Sequence, residues 1–411
     1  MDAVKIRIPG AFWDSQIYSG EIILFTDGGG VRRFDWRQFI DSIADHNFKV
    51  MTALRIAFVD GELFYNEKVR KILLDPEVSR VIKSQLDTLA SMDLWVSDNS
   101  REMGRETSSP FDFMPTDTDI YYNNVIASGD NGLFSCARGH IGKRSSGAFV
   151  EKHHDAKFIQ VKASDRNTAV AAAAGDDGLL EFSFDREGSD ARLAASKLLA
   201  QRPCSACDWA FQSVVGWTES DGFLANFREE RQRGRTEKIR LFDRVINFSE
   251  FFDNSTDDQS KSFSWGAREK FYRISDGSIS VVERSDSSKS RKRAMNESTG
   301  EFKILDRIAA NLNADSVVST GTAPFGSVVE LSDRILVIRS DGRVDTFQGE
   351  LVHWRIFPRS SNYSNQLHLI YEDHMEVVSF VHDYFVDQID KRFGFYRSAD
   401  PLSEEVKVAF S

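Results

Sequence analysis

The residues of this chain whose types and spacing could do chemistry are its three cysteines, its clustered histidines and some of its 63 acidic side chains. Cys204-Ser205-Ala206-Cys207 has the spacing of a redox pair or of half a zinc site. A structural zinc needs a second pair of ligands, and a thioredoxin-like motif needs a βαβ setting; neither accompanies the pair. Cys136 and His140, four residues apart, would join Cys204 and Cys207 on a metal only if the fold brought them together. His153-His154-Asp155 is the densest imidazole and carboxylate cluster, and His374, His382 and Asp383 form a second group. Adjacent side chains on a strand point to opposite faces, so His153 and His154 can share one metal only from a loop. The ordinary roles expected are reduced, partly buried thiols, solvated loop imidazoles and, for His374, a place in a turn.

Gly28-Gly29-Gly30 invites comparison with a phosphate-binding loop, but neither a Gly-Lys-Ser/Thr nor a Gly-x-Gly-x-x-Gly spacing follows. A hairpin turn accounts for it. Neither a Gly-x-Ser-x-Gly elbow nor a His-Glu-x-x-His helix occurs. The basic run Lys289-Ser290-Arg291-Lys292-Arg293 could meet an acidic partner, although a solvated loop is the simpler expectation on an acidic chain. The sequence therefore assigns no catalytic, metal or cofactor-binding residue, and it implies no cofactor.

The elements that position these groups are announced by a recurring event: a short β-prone run, an Asp-Gly or Asn-Gly pair, and a second β-prone run. The pairs fall at Asp27-Gly28, Asp60-Gly61, Asn131-Gly132, Asp177-Gly178, Asp221-Gly222, Asp276-Gly277 and Asp341-Gly342. A two-residue hairpin turn that matches strand twist needs positive φ, which Gly adopts freely and Asn or Asp tolerates. Ile22-Ile23-Leu24-Phe25 before Asp27-Gly28, and Leu54-Arg55-Ile56-Ala57-Phe58-Val59 before Asp60-Gly61, both read as first arms of hairpins. In the centre, small residues such as Ala127-Ser128-Gly129 and the alanines from Ala171 precede the turn, as crowding near an axis would favour. Later units carry three runs each: Phe263-Ser264-Trp265-Gly266, Phe271-Tyr272-Arg273-Ile274 and Ser278 to Val282, then Val328 to Leu331, Ile335 to Ile338 and Val344 to Phe347. A last unit pairs Leu367 to Tyr371 with Met375 to Phe380, and Val381 to Val386 could continue its sheet.

Turn spacing runs from 33 to 71 residues, around the roughly 40–60 residues that a four-stranded blade needs. The widest gap coincides with a change of period. Between Asn66 and Trp95 the apolar residues Val69, Ile72, Leu73, Val81, Ile82, Leu86 and Leu89 recur mostly at three- and four-residue steps, the mark of amphipathic helix. Asp75 is placed to cap a helix that begins at Pro76. Residues 67–95 are thus expected to form a helical insertion between blades, dispensable for the core. The polar stretches 97–118, 139–147 and 284–300 read as rim loops, and 228–240, dense in both charges, as a solvated helix or connecting loop.

Through these apolar–turn–apolar units and their rough period, the chain resembles the WD-repeat and related β-propeller families over most of its length. It departs from the family's Gly-His and Trp-Asp signatures: Asp35-Trp36 has the reverse order and His353-Trp354 lacks both. No subfamily follows, and no functional residue carries over. The resemblance implies an all-β, single-domain propeller spanning 1–411, of six to eight antiparallel blades with seven favoured. Hydrophobic residues at 41%, and 32 Phe among them, suit half-buried pleated sheet. A formal charge of −11 repels phosphate backbones and anionic lipid, so neither nucleic acid nor membrane is the expected partner. Three cysteines are too few for a disulfide framework, and neither a leader nor an apolar run of membrane-spanning length is visible, so a cytoplasmic protein is expected. The function expected is a non-catalytic protein-binding platform, an adaptor or subunit of an assembly. The alternative is a propeller enzyme, a carbohydrate-active hydrolase or lyase or a metal-dependent esterase, with carboxylates or histidines at the channel.

Overall fold

Antiparallel hairpins dominate the computed structural model, which describes residues 1–60, 63, 67–73, 75–96, 104–142, 149–185, 192–218, 221–231, 238–252, 261–284, 302–386 and 391–396. They assemble into seven sheets around one axis, a seven-bladed β-propeller. Blade 1 holds Phe12–Tyr18, Glu21–Thr26, Gly30–Asp35 and Thr107–Ser108; blade 2 holds Asp117–Tyr121, Asn124–Gly129, Gly132–Ala137 and Val150–His154. Blade 3 runs Gln160–Ala163, Ala169–Ala173, Leu179–Asp185 and Arg192–Ala200, and blade 4 runs Ala206–Ala210, Ser213–Trp217, Gly222–Arg231 and Lys238–Asn247. Blade 5 comprises Phe263–Ala267, Lys270–Ser275, Ser278–Arg284 and Phe302–Ala309, and blade 6 comprises Val317–Ala323, Gly326–Leu331, Arg334–Arg339 and Val344–Gln348.

Blade 7 closes the ring. Its first three strands, His353–Ile356, Gln366–Ile370 and His374–Ser379, come from late in the chain, and its fourth is the N-terminal Val4–Pro9, paired antiparallel with His374–Ser379. The first strands of successive blades touch in order around the ring, and that of blade 7 meets that of blade 1. Six of the seven expected turns are hairpin tips: five join second to third strands, while Asp341-Gly342 joins third to fourth. Gly178, at φ +96, needs its freedom twice over, since a Cβ there would lie 2.2 Å from the Ala200 carbonyl oxygen. The small-residue runs before the turns lie on second strands, one removed from the axis.

The seventh turn is a correction. Leu54 to Val59 is not a strand: helix α2, Met51–Phe58, follows α1, Trp36–His46, so the chain reaches Asp60 from a helix and not from a hairpin arm, and Gly61 lies outside the described residues. A short helix buried almost all round shows a continuous apolar run, which periodicity cannot tell from a buried strand. Ala53, Leu54, Ile56, Ala57 and Phe58 are all buried in α2. Two more helices, α3 (Glu67–Leu73) and α4 (Pro76–Ala90), follow, and the Asp75 side chain accepts from Glu77 N and Val78 N as a cap should. All four helices lie between the third and fourth strands of blade 1, so the insertion is within a blade and begins at Trp36, well before residue 67. Ile82, Leu86 and Leu89 join α1, α2 and the closing-strand residues Val4, Ile6 and Ile8 in one core cluster. Leu94–Trp95 then adds a parallel edge strand beside Val4–Pro9. The insertion is therefore part of the closure. Val381–Phe385 is a 3₁₀ turn and does not extend the sheet, because Val4–Pro9 holds the fourth place. Residues 222–231 and 238–247 form one long hairpin in place of a solvated helix.

Candidate functional site

The first strand of each blade lines the axis, and in blades 2, 3 and 7 its inward face carries polar side chains two residues apart, as pleating requires. Gln16, Asp117 and Asp119, Gln160 and Lys162, Asp208, Thr320, and His353 and Arg355 line a central cavity of about 870 Å³. These groups stitch the blades together. Gln16 Nε2 reaches Thr118 O and Oγ1 at 3.0 Å across the seam of blades 1 and 2. The Asp117 carboxylate accepts from Val161 N at 2.9 Å, the Asp119 carboxylate from Ala163 N at 2.8 Å, and the Gln160 carbonyl from Cys207 N at 2.8 Å. Arg268 N donates to Trp209 O at 2.7 Å, Trp265 Nε1 to Ser327 Oγ at 3.1 Å, and Trp354 Nε1 to Ser319 Oγ at 2.8 Å, which covers the seams from blade 4 round to blade 7.

The last seam is ionic. Arg355 of blade 7 donates from Nε and Nη2 to Asp14 Oδ1 of blade 1, at 3.0 and 2.7 Å, and from Nη1 to Asp117 Oδ1 of blade 2 at 2.6 Å. All three side chains are buried. Burial alone would raise the Asp117 carboxyl, but the Arg355 guanidinium outweighs it, with help from Lys162, and holds it below the usual carboxylate range. Burial and then the same guanidinium push His353 down to about 4 and His368 down to about 3, so both imidazoles are neutral near pH 7. His368 Nδ1 meets Ser15 Oγ at 2.8 Å inside the seam of blades 7 and 1. At the other end of the channel Arg359 pairs with Asp119, and Arg268 with Asp165 at 2.7 Å. Burial pushes the Asp208 carboxyl up to about 6, against the pull of Lys162. No carboxylate among the described residues lies within ion-pair distance of Lys162.

The fold scatters the sequence's candidates. Cys136 packs in one core cluster and Cys204 and Cys207 in another. Burial pushes the Cys136 thiol up to about 11, Cys204 up to about 12 and Cys207 well above its ordinary value, so all three are protonated and unreactive at neutral pH. His140 stacks on Phe149. His153 and His154 stand on the strand Val150–His154: Nε2 of the first meets Ser135 Oγ at 2.7 Å, and the second packs on Phe158 and Phe182. Asp155 pairs with Lys152. His374 stacks on Tyr371 before its strand, whereas His382 and Asp383 lie beyond the strand's far end, Asp383 paired with Lys391 at 2.8 Å. No group of three or more His, Cys, Asp or Glu placed to hold a metal occurs among the described residues. Residues 289–293 lie outside the described residues, as do 97–103, 143–148 and 285–301 of the expected rim loops.

Sequence reading missed Asp14, Asp117, Arg355 and Lys162. The signal available was a pair of polar residues two apart inside a short apolar frame, as in Gln160-Val161-Lys162 and His353-Trp354-Arg355.

No family model and no curated protein matches the chain. Among solved structures it is similar to the β-propeller domain of Cps50 (Swd1) from Myceliophteria thermophila, at 8% identity and a TM-score of 0.47, over 92% of this chain and 99% of that one. It is also similar to the Neurospora crassa Pan2 WD40 domain, at 8% identity and a TM-score of 0.44, over 90% of this chain and 89% of that one.

Proposed function

We propose that this propeller is a non-catalytic protein-binding platform, an adaptor or subunit of a multiprotein assembly working in a reducing, cytoplasmic setting. The observation that supports this reading is the state of the channel carboxylates. Asp14 and Asp117 share the Arg355 guanidinium, Asp119 is held by Arg359 and Asp165 by Arg268. Glycosidase chemistry needs two carboxyl groups flanking one bond, one of them free to attack or to activate water, and a carboxylate spent on a neighbouring guanidinium serves neither role; among the described channel aspartates this leaves Asp208 alone outside an ion pair, an acid without a second free aspartate beside it. The three desolvated thiols are likewise buried in core clusters, and the neutral His368 is buried in the seam of blades 7 and 1.

Helices α3 and α4 offer a docking face. Ile72 on α3 is 63% exposed, and on α4 Val81 is 54% exposed and Val78, three residues before it, is exposed too. Exposed apolar side chains of this kind, on α4 whose opposite face is anchored in the core by Ile82, Leu86 and Leu89, suit helix-mediated recognition by another protein. The test is capture by the tagged full chain from its native source. Stoichiometric partner proteins should co-purify, and the doubly substituted Ile72→Asp, Val81→Asp chain should lose at least one of them while its circular dichroism stays the same. A chain recovered alone under mild conditions, while turning over a glycoside or ester substrate, would refute the reading.

A further inference from the structure

Residues 391–396, Lys-Arg-Phe-Gly-Phe-Tyr, cross the end of the propeller where first strands turn into second strands. The side chains beneath them are polar and point at main chain. Lys270 Nζ donates to Lys391 O at 3.4 Å, Tyr272 OH to Phe393 O at 2.5 Å and Arg268 Nη1 to Tyr396 O at 2.9 Å, while Tyr396 N donates to Glu269 Oε1 at 2.9 Å. The Ser340 carbonyl accepts from Arg392 N and Phe393 N at 2.8 and 3.3 Å. Two aromatic anchors and one gap supply side-chain selectivity. Phe393 is fully buried in the core cluster of blades 5 and 6, and Phe395 sits 4.3 Å beneath the Arg268 guanidinium at the channel mouth. Between them, Gly394 passes so close to Pro324 that a Cβ would fall 2.1 Å from its carbonyl oxygen.

This is how peptide-binding grooves work: main-chain hydrogen bonds give affinity, and pockets for alternate side chains give specificity. Each of these floor side chains bonds to a main-chain atom of the segment, and a segment of another sequence supplies the same atoms. Arg268, Glu269, Lys270 and Tyr272 bond to the segment while Arg268 also pairs with Asp165 and Lys270 with Glu283, so on its departure those two pairs remain and water meets the donors and acceptors set free. We propose that this floor is a peptide-recognition groove, held in cis by residues 391–396, that takes a basic–Phe–Gly–Phe segment of a partner protein when the cis segment is displaced. The inference rests on the binding-platform reading and adds to it a second surface, away from α3 and α4.

The test uses the full chain. Gly394→Val should expel the cis segment, and a fluorescein-labelled hexapeptide of residues 391–396, followed by anisotropy, should then bind saturably and at least tenfold more tightly than to the unaltered protein. The same peptide with both phenylalanines replaced by alanine should not bind. If Gly394→Val does not fold, the full chain carrying F393A and F395A takes its place, since it removes the anchors without adding an atom. A folded variant that ignores the peptide overturns the proposal, as does equal binding by the unaltered protein. Loss of the fold in both variants overturns it too, by making the segment an integral part of the core. Lost peptide binding with capture through α3 and α4 intact would sink the groove alone, whereas lost capture with peptide binding intact would sink the helical docking face alone.

Discussion

Replacing Arg355 with methionine keeps most of the side chain's volume and removes the one cation shared by Asp14 and Asp117. Breaking a buried ion pair from one side costs about 3–5 kcal/mol, because the carboxylates left behind have lost both water and partner. With an unfolding entropy of about 2 cal/mol/K per residue, the 411-residue chain would lose roughly 3–6 °C of melting temperature. The pH dependence identifies the cause. In the unaltered protein Asp117 is held low, so its contribution is present above the unfolded carboxylate value and is lost as pH falls through the depressed folded value. In the variant, burial acts on Asp117 without the guanidinium and raises it, so its penalty is full at pH 8 and is relieved as pH falls through the raised value. The gap between the two proteins should therefore be widest near pH 8 and narrow towards pH 4.5. Thermal denaturation followed by circular dichroism at both pH values measures it, and Asp117→Asn added to the variant should recover part of the loss at pH 8. A gap below about 1 °C at pH 8, or one that widens on acidification, would refute the argument.

Four further outcomes are expected. Gly178→Val forces a side chain into φ +96 against the Ala200 carbonyl; a cost of about 1–3 kcal/mol should appear as a lower urea midpoint. Asp208→Asn removes a carboxyl whose folded value is raised to about 6. Since the folded value lies above the ordinary 3.8, the cost of the aspartate accrues as pH rises from about 3.8 to about 6 and is full above it, so the variant should melt no lower than the parent at pH 8 and relatively lower at pH 4. His353, held at about 4, contributes stability that is present above its unfolded value near 6.5 and is lost as pH falls towards 4; His353→Gln should flatten the melting-temperature profile in that window. Deleting residues 67–95 strips Ile82, Leu86 and Leu89 from the closing strand and should give an aggregating or unfolded chain in gel filtration, and Leu86→Ala alone should cost about 2–5 kcal/mol.

The sequence by itself determined the propeller. Turn chemistry is local: a hairpin that needs positive φ selects Asp-Gly or Asn-Gly, so six of the seven pairs marked real hairpin tips, and six to eight blades, seven favoured, was the expectation. The helical period at α3 and α4 and the cap at Asp75 were legible for the same reason, since each depends only on residues within a few positions of itself. α2 was misread as strand because eight residues buried nearly all round display no period. The closure was hidden because Val4–Pro9 and His374–Ser379 stand at opposite ends of the chain, and nothing local to Val381 says that the fourth place is already filled. The channel was hidden for a related reason. Asp14 and Arg355 are 341 residues apart, and an isolated Asp or Arg on a short strand looks the same in sequence whether it faces solvent, a substrate or another blade. Only the ring, by bringing seven first strands together around one axis, decided that these charges would neutralise one another and left Lys162 and Asp208 without such partners among the described residues.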